Sequence, residues 1–377
     1  MRREQSRFTD WFFQIDMRLL VLLLILTGIG IYAVFTAGSV AAERTGRDWY
    51  YFVMKMLPNY GIGICAFLIC SVLNKKSIKW LGLASAVFCG ALLLVSLAAP
   101  HMVNNSARFV ALPGLGNVMP ADLLKPGFII MTAWFLSGLQ KKHVNIFSLD
   151  ALKKLTGWWI YLIPFAAVIA IIFNHPDVGT ALLYIAVLGG MLFIAGAPAK
   201  IVGLMGLGGA GLLTIGYFCF THVHNRLNAM FAGELSFQTR QSIQAIQHGG
   251  LTGSGDDSFI KQSLPDAHTD FVFSALSEDL GAFVSIAILV LLFLVIRRLF
   301  DMARDAKSQF VFFVLCGTLL LFGLQSCINL MSALHIFAIK GMTLPFISYG
   351  GSSFISYCAL FGMVIALVRE DKWGIKK

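Results

Sequence analysis

The sequence predicts an all-α integral membrane protein that crosses the bilayer about ten times. Three observations carry that prediction. First, 58% of the 377 residues are hydrophobic and only 13% are charged, against roughly 25% charged in a soluble domain. Second, ten apolar stretches approach the length of about 20 residues that a spanning helix needs. Third, the basic residues divide unevenly between the segments joining those stretches. No long polar linker interrupts the chain, so residues 1–377 are expected to form a single transmembrane domain.

The stretches lie near 19–38, 52–73, 77–99, 123–139, 157–173, 180–197, 200–220, 271–296, 308–332 and 343–368. The first follows Arg2, Arg3 and Arg7, as a signal peptide would. Its apolar run is longer than the h-region of such a peptide and no small-x-small cleavage site follows, so it reads as a retained span. An even number of spans places both termini on one side. With the termini in the cytoplasm, only nine of the 29 basic residues fall outside: Arg44, Arg47, Lys55, Arg108, Lys125, Arg226, Arg240, Lys261 and Lys340. That asymmetry is the positive-inside pattern. It accounts for the net charge of +10 without a nucleic-acid partner.

The seven cysteines all sit in apolar runs, and no CxxC occurs. Neither a disulfide framework nor a zinc site is expected.

Four segments assigned to the outer face concentrate polar chemistry. "NNSARFVALPGLGNVMPADLLKPG" (Asn104–Gly127) carries Arg108, then Asp122 and Lys125 at i, i+3, a spacing that puts both on one helix face. Those residues read equally as an interfacial cation and a local ion pair. "NHPDVGTA" (Asn174–Ala181) reads as a turn in which Asp177 or Thr180 caps the next helix. "IKGMTLPFISYGGSS" (Ile339–Ser353) combines a cation with a small-residue seam that lets membrane helices approach closely.

The fourth segment is a loop of about fifty residues, 221–270, before the eighth stretch. Ile243 and Ile246 stand at helical spacing among glutamines, the pattern of an amphipathic helix on a membrane surface. Glycines 249, 250, 253 and 255 then break it. The chain re-enters the apolar phase at His268-Thr269-Asp270, with Glu278 and Asp279 deeper. A carboxylate at that boundary loses hydration, which raises its pKa and fits it to accept a proton near neutrality. Ionisable groups at membrane depth are functional candidates. Cations plus such a base suit a phosphorylated lipid, an anion or a proton, and these alternatives stay open on the residues alone.

The same residues resemble the shape, elongation, division and sporulation (SEDS) family of bacterial membrane proteins, which includes FtsW and RodA. Gln241-Ser242, "GGLTGSG" and "LPDAHTDFVFSALSEDLG" (Leu264–Gly281) are similar to the family's QS, glycine-rich turn, "LPEAHTDFIF" and acidic pair. "KGMTLPFISYGGSS" (Lys340–Ser353) looks like the last motif in its division-branch form. "HPDVGTA" resembles "QPDLGTA", and "NNSARF…MPADLLK" a weakened "NGAxRW…QPSEFAK". Phe109 stands for the motif tryptophan, Met119 for glutamine and Asp122 for glutamate, and no proline precedes Lys340-Gly341.

The resemblance implies a peptidoglycan glycosyltransferase that polymerises lipid II at the outer face of the cytoplasmic (inner) membrane. It implies a class B penicillin-binding protein as partner, beside other divisome proteins. The family's essential aspartate falls on Asp270, expected as general base for the attacking 4-hydroxyl of the acceptor sugar in an inverting transfer. Arg108, Lys125, Arg226 or Lys340 would stabilise charge on the leaving pyrophosphate. Asp122, Gln241, Ser242, His268, Thr269 and Ser352 complete the expected substrate-binding set, with His268 orienting Asp270. No metal site is expected; Mg²⁺ bridging the pyrophosphate to Asp122 or Asp270 is compatible with the spacing and not demanded by it. The rival classes are a lipid II flippase and a scaffold that activates the transpeptidase, with a RodA-like elongation role as the branch alternative. Synthesis of strands from lipid II in detergent separates the enzyme from both.

Overall fold

The computed structural model describes residues 11, 13–98, 101–103, 106–112, 116–141, 156–175, 177–232, 236–336 and 341–373. A helix accounts for most of each of the ten predicted stretches. In chain order these are α1 (Met17–Arg44), α2 (Tyr51–Val72), α3 (Lys75–Ala98), α4 (Pro120–Lys141), α5 (Thr156–Asn174), α6 (Val178–Ile194) and α7 (Ala199–Cys219). Three short helices follow: α8 (Thr221–Phe231), α9 (Phe237–His248) and α10 (Ile260–Ser263). The chain ends with α11 (Val272–Arg304), α12 (Gln309–Ala333) and α13 (Gly351–Trp373). Among the described residues, six of these (α1, α2, α3, α11, α12 and α13) are long and apolar enough to cross a membrane by length and composition. Their outward surfaces carry Phe35, Leu57, Phe88, Phe293 and other large apolar side chains that only lipid or another apolar partner would cover.

Local sequence sets several helix starts. Asp16 accepts from the Leu19 amide, Asp177 from the Thr180 amide and Ser236 from the Thr239 amide, each satisfying a donor the first helical turn leaves open. Asp16 also pairs with Arg298 near the end of α11, so α1 and α11 are tied at the end opposite Arg44. At that same end the Lys75 and Lys307 amides donate to Glu370 and Asp371, which anchors α3 and the approach to α12 onto the tail of α13.

Four features depart from the sequence reading. A three-stranded antiparallel sheet, β1 (His101–Val103), β2 (Ser106–Leu112) and β3 (Gly116–Val118), occupies the first outer segment and supplies the strands found among the described residues. Alternation in this stretch is weak, which hid it from periodicity. The 221–270 loop is largely helical. Its α9 buries Thr239, Ser242 and Ala245 against protein, while Ile243 and Ile246 are half-buried; a small-residue stripe on α11 replaces the expected membrane-surface face. The last span begins at Gly351 rather than near 343, because residues 341–350 fold into consecutive turns held by Ser348, whose Oγ accepts from the Leu344 amide.

The fourth departure lies in α11, which is two helices joined at Gly281. That residue has φ 78° and ψ −176°, a region essentially reserved for glycine. The first half, 272–280, belongs to the polar end of the molecule; the second is the apolar span. The glycine-rich turn interlocks with this break. Ala282 and Phe283 donate to the carbonyls of Gly250 and Leu251, and Ser254 donates to that of Glu278. A Cβ on Gly281 would collide with the Gly253 nitrogen, and one on Gly249 with the Ser277 carbonyl. Glu278, fully buried, caps α10 by accepting from the Ile260 and Lys261 amides at 2.8 and 2.6 Å. Asp279 pairs with Lys261 at 2.5 Å. The acidic pair therefore folds the outer loop onto the broken helix.

Gly281→Ala is expected to destabilise the protein by about 1–3 kcal/mol from backbone strain alone, with the steric clash adding to it. Thermal melting in detergent checks this. A variant that melts with the wild type would show that the break does not depend on this glycine.

Candidate active site

One cavity of about 1190 Å³ opens where the outer segments converge. It collects the end of α1, the start of α2, the outer sheet, the starts of α4 and α6, residues 264–270 and the 341–352 turn. Five of the ten predicted substrate-binding residues line it: Asp122, Lys125, His268, Thr269 and Ser352. Asp270 lines it as well.

The Asp122–Lys125 pair forms as the i, i+3 spacing predicted, at 2.6 Å. Lys125 is only 2% exposed. An ammonium group in so apolar a setting is tolerated only when its donors are satisfied. Here Asp122 takes one, Gln325 Oε1 takes another at 2.8 Å, and the Tyr357 ring centroid lies 5.1 Å from the nitrogen. Tyr357 Oη donates to the same Gln325 oxygen at 2.8 Å. Gln325 Nε2 in turn donates to the Thr343 carbonyl at 2.7 Å. Thr343 donates to Ser353, and Ser352 accepts from the Met119 amide. The first and last outer motifs are thus one hydrogen-bonded body.

The segment carrying Asp270 is pinned to that body. Ser348 Oγ donates to the Thr269 carbonyl at 2.6 Å, and the Tyr349 amide to the His268 carbonyl at 2.8 Å. Asp266 turns the chain with φ 55°, and its carbonyl accepts from the amides of Thr269 and Phe271. The His268 ring sits between Phe52 and Tyr349, at centroid distances of 4.5 and 5.3 Å. Burial there pulls its pKa down to about 4, with the Asp266 charge opposing. His268 is therefore a neutral imidazole at neutral pH.

Other predicted residues lie elsewhere. Ser242 is fully buried between α9, α11 and α12; it accepts from Ser274 Oγ and donates to the Ala333 carbonyl. Gln241 accepts from Ser263 Oγ across the outer loop. Neither lines the cavity. Lys340 lies outside the described residues, as do the side chains of Arg108 and Arg226. Their neighbours Phe109, Val223 and Leu227 line the cavity, which brings β2 and α8 to its edge.

The sequence reading missed Arg44, Arg47 and Lys55, all of which line the cavity. Arg44 donates to the Leu264 carbonyl at 3.1 Å, and Arg47 stacks over Tyr51 at 4.3 Å. The signal was present, since all three stand among the nine basic residues left outside by the positive-inside count. Among the described residues no group of three or more His, Cys, Asp or Glu side chains converges as a metal site.

Fold and site together define a multi-pass membrane protein with an open cavity at one end, lined by carboxylates, Asp270 among them, and by several cations. The profile of the cell cycle protein family FtsW/RodA/SpoVE matches residues 17–373, and the chain belongs to that family. It is 30% identical over 379 residues to the probable peptidoglycan glycosyltransferase FtsW of Caulobacter vibrioides, covering 98% of this chain and 93% of that one. It is also 30% identical to the stage V sporulation protein E of Bacillus subtilis, covering 95% and 98%. Among solved structures it resembles a chain of a peptidoglycan synthase complex that coordinates polymerization and crosslinking, with TM-score 0.74 and 23% identity over 95% and 98% of the two chains. It resembles RodA of Thermus thermophilus with TM-score 0.68 and 22% identity over the same shares.

The depressed His268 pKa has a consequence for stability. Between its ordinary value of 6.5 and about 4, the unfolded chain binds more protons at this residue than the folded one. Its contribution is complete above 6.5 and fades as pH falls towards 4. The difference in melting temperature between wild type and His268→Phe should shift against the wild type over that window. A difference independent of pH would refute a buried neutral imidazole.

Proposed function

We propose that this protein is a peptidoglycan glycosyltransferase that polymerises lipid II into glycan strands at the outer face of the cytoplasmic membrane. One observation carries the reading: a single cavity holds Asp270 together with Arg44, Arg47 and Lys55, beside the buried Asp122–Lys125 pair. Its volume of about 1190 Å³ suits a substrate larger than a small metabolite. FtsW-named relatives support a place in septal wall synthesis, and the synthase complex among the similar structures supports a class B penicillin-binding protein as partner. Ten helices over ten predicted stretches support ten spans with both termini on one side, and the uneven division of basic residues supports the cytoplasmic side.

In this reading Asp270 accepts the proton of the acceptor sugar's 4-hydroxyl as that oxygen attacks the donor's anomeric carbon. The carbon–oxygen bond to undecaprenyl pyrophosphate breaks with inversion, and the electron pair leaves on the pyrophosphate. Lys125 is already committed to Asp122 and Gln325, so its charge acts from a fixed position. Arg44 and Arg47 retain guanidinium donors beyond the contacts described, and paired guanidinium N–H groups match phosphate oxygens. They and Lys55 are assigned to the leaving group. Neutral His268 fixes the chain beside Asp270 through packing.

The test is polymerisation of labelled lipid II in detergent by purified wild type and Asp270→Ala, each with its class B partner. Wild type should make strands, and loss of the base should slow them by about 10²-fold or more. Equal activity would remove Asp270 from the chemistry. Strands from neither folded protein would remove the transferase reading itself.

A further inference from the structure

Two primary amides lie deep inside the apolar helix α12, and neither touches the substrate in the chemistry above. Gln325 and Asn329 stand one turn apart on the same face of α12, and are 1% and 2% exposed. Primary amides at such depth cost free energy unless they are hydrogen-bonded. Their partners are specific. Gln325 joins Lys125 and Tyr357 through its oxygen and the Thr343 carbonyl through its nitrogen. Asn329 Nδ2 donates to the Asp270 carbonyl at 3.0 Å and to the Met342 carbonyl at 2.7 Å. Lysine only donates and carbonyls only accept, so neither amide can be turned around without setting like groups against each other.

The two side chains therefore link α4, α13, residues 341–350 and the Asp270 backbone from one helix face. Asn329 also completes a series. The successive carbonyls of His268, Thr269 and Asp270 accept from the Tyr349 amide, Ser348 Oγ and Asn329 Nδ2 respectively. Every one of those donors comes from α12 or from the 341–350 turns that Gln325 and Asn329 hold.

We propose that Gln325 and Asn329 form an amide clamp that sets the position of Asp270 relative to Lys125 and the 341–350 turns. They are positioning residues for the transfer reaction, which rests on the function proposed above. With the clamp intact the Asp270 backbone has one position, and its carboxylate meets the acceptor hydroxyl in a fixed geometry. Without it the protein still closes around the substrate, and the base is misplaced. A displacement of this kind lowers the rate of chemistry more than it weakens binding.

The experiment compares wild type, Asn329→Leu, the smaller apolar Asn329→Ala, and Asp270→Ala, each purified with its class B partner. Lipid II polymerisation gives kcat and KM, and amide hydrogen exchange is followed in peptides spanning 264–271 and 341–350. Loss of two donated hydrogen bonds should raise exchange in both peptides together by about tenfold, while the second half of α11 stays protected. Both Asn329 variants should lose about tenfold or more in kcat with KM within about twofold of wild type. The Ala variant removes the amide without adding a branched side chain, and so guards against misfolding caused by the leucine itself. Unchanged exchange at either peptide, or unchanged kcat, or a loss confined to KM, overturns the clamp. If Asp270→Ala remains active, the base assignment fails and the exchange arm still decides the clamp. If wild type makes no strands, the transferase reading fails and exchange alone decides.

Discussion

A lysine ammonium buried among membrane helices is the constraint from which the rest of the site follows. Lys125 sits at 2% exposure, where an unpaired charge would be prohibitive. Its partners cannot come from lipid, so they come from neighbouring helices: Asp122 from its own, Gln325 from α12 and the Tyr357 ring from α13. Satisfying one charge therefore draws three helices together at a single depth. Gln325 then passes the constraint to the 341–350 turns, and those turns hold the segment that carries Asp270. The cavity is the space left above this knot.

A second lock acts on the outer loop. Glycines let the 249–255 turn lie directly against the broken helix at Gly281, at separations no Cβ would permit. Glu278 and Asp279 close the same joint from the other side. The acidic pair carries charge near the site without lining the cavity. Their expected membrane depth made these residues functional candidates; their hydrogen bonds make them supports. The 341–350 turns and α12 hold the carbonyls of His268, Thr269 and Asp270, which leaves these residues little freedom of their own.

Much of this was legible in the residues. Apolar runs give the helices, because a lipid-facing helix has no alternative composition. The charge count separates the two ends. Asp122 and Lys125 pair as their spacing dictates, and Asp177 caps α6 as a turn residue should. What escaped reading depends on distance in sequence. Arg44, Arg47 and Lys55 belong to the cavity only because α1 ends and α2 begins beside residues 264–270. Gln325 and Asn329 were visible as polar residues one turn apart in an apolar helix, yet their partners lie up to 200 residues away. The Gly281 break needs a backbone conformation that a lone glycine does not announce. Ser242 sits beside Gln241 in a recognisable motif, and packing between α9, α11 and α12 explains it without a substrate.

The central claim is that the substrate occupies the cavity above Lys125. Photo-crosslinking of lipid II tests it most directly, with a photoreactive side chain at Met119 on the cavity wall and, for comparison, at Phe293 on the lipid-facing side of α11. The account predicts a strong adduct at Met119 that excess unlabelled lipid II suppresses, and only a weak, uncompeted one at Phe293. Adducts of equal strength at both positions, or a competed adduct at Phe293 alone, would contradict it.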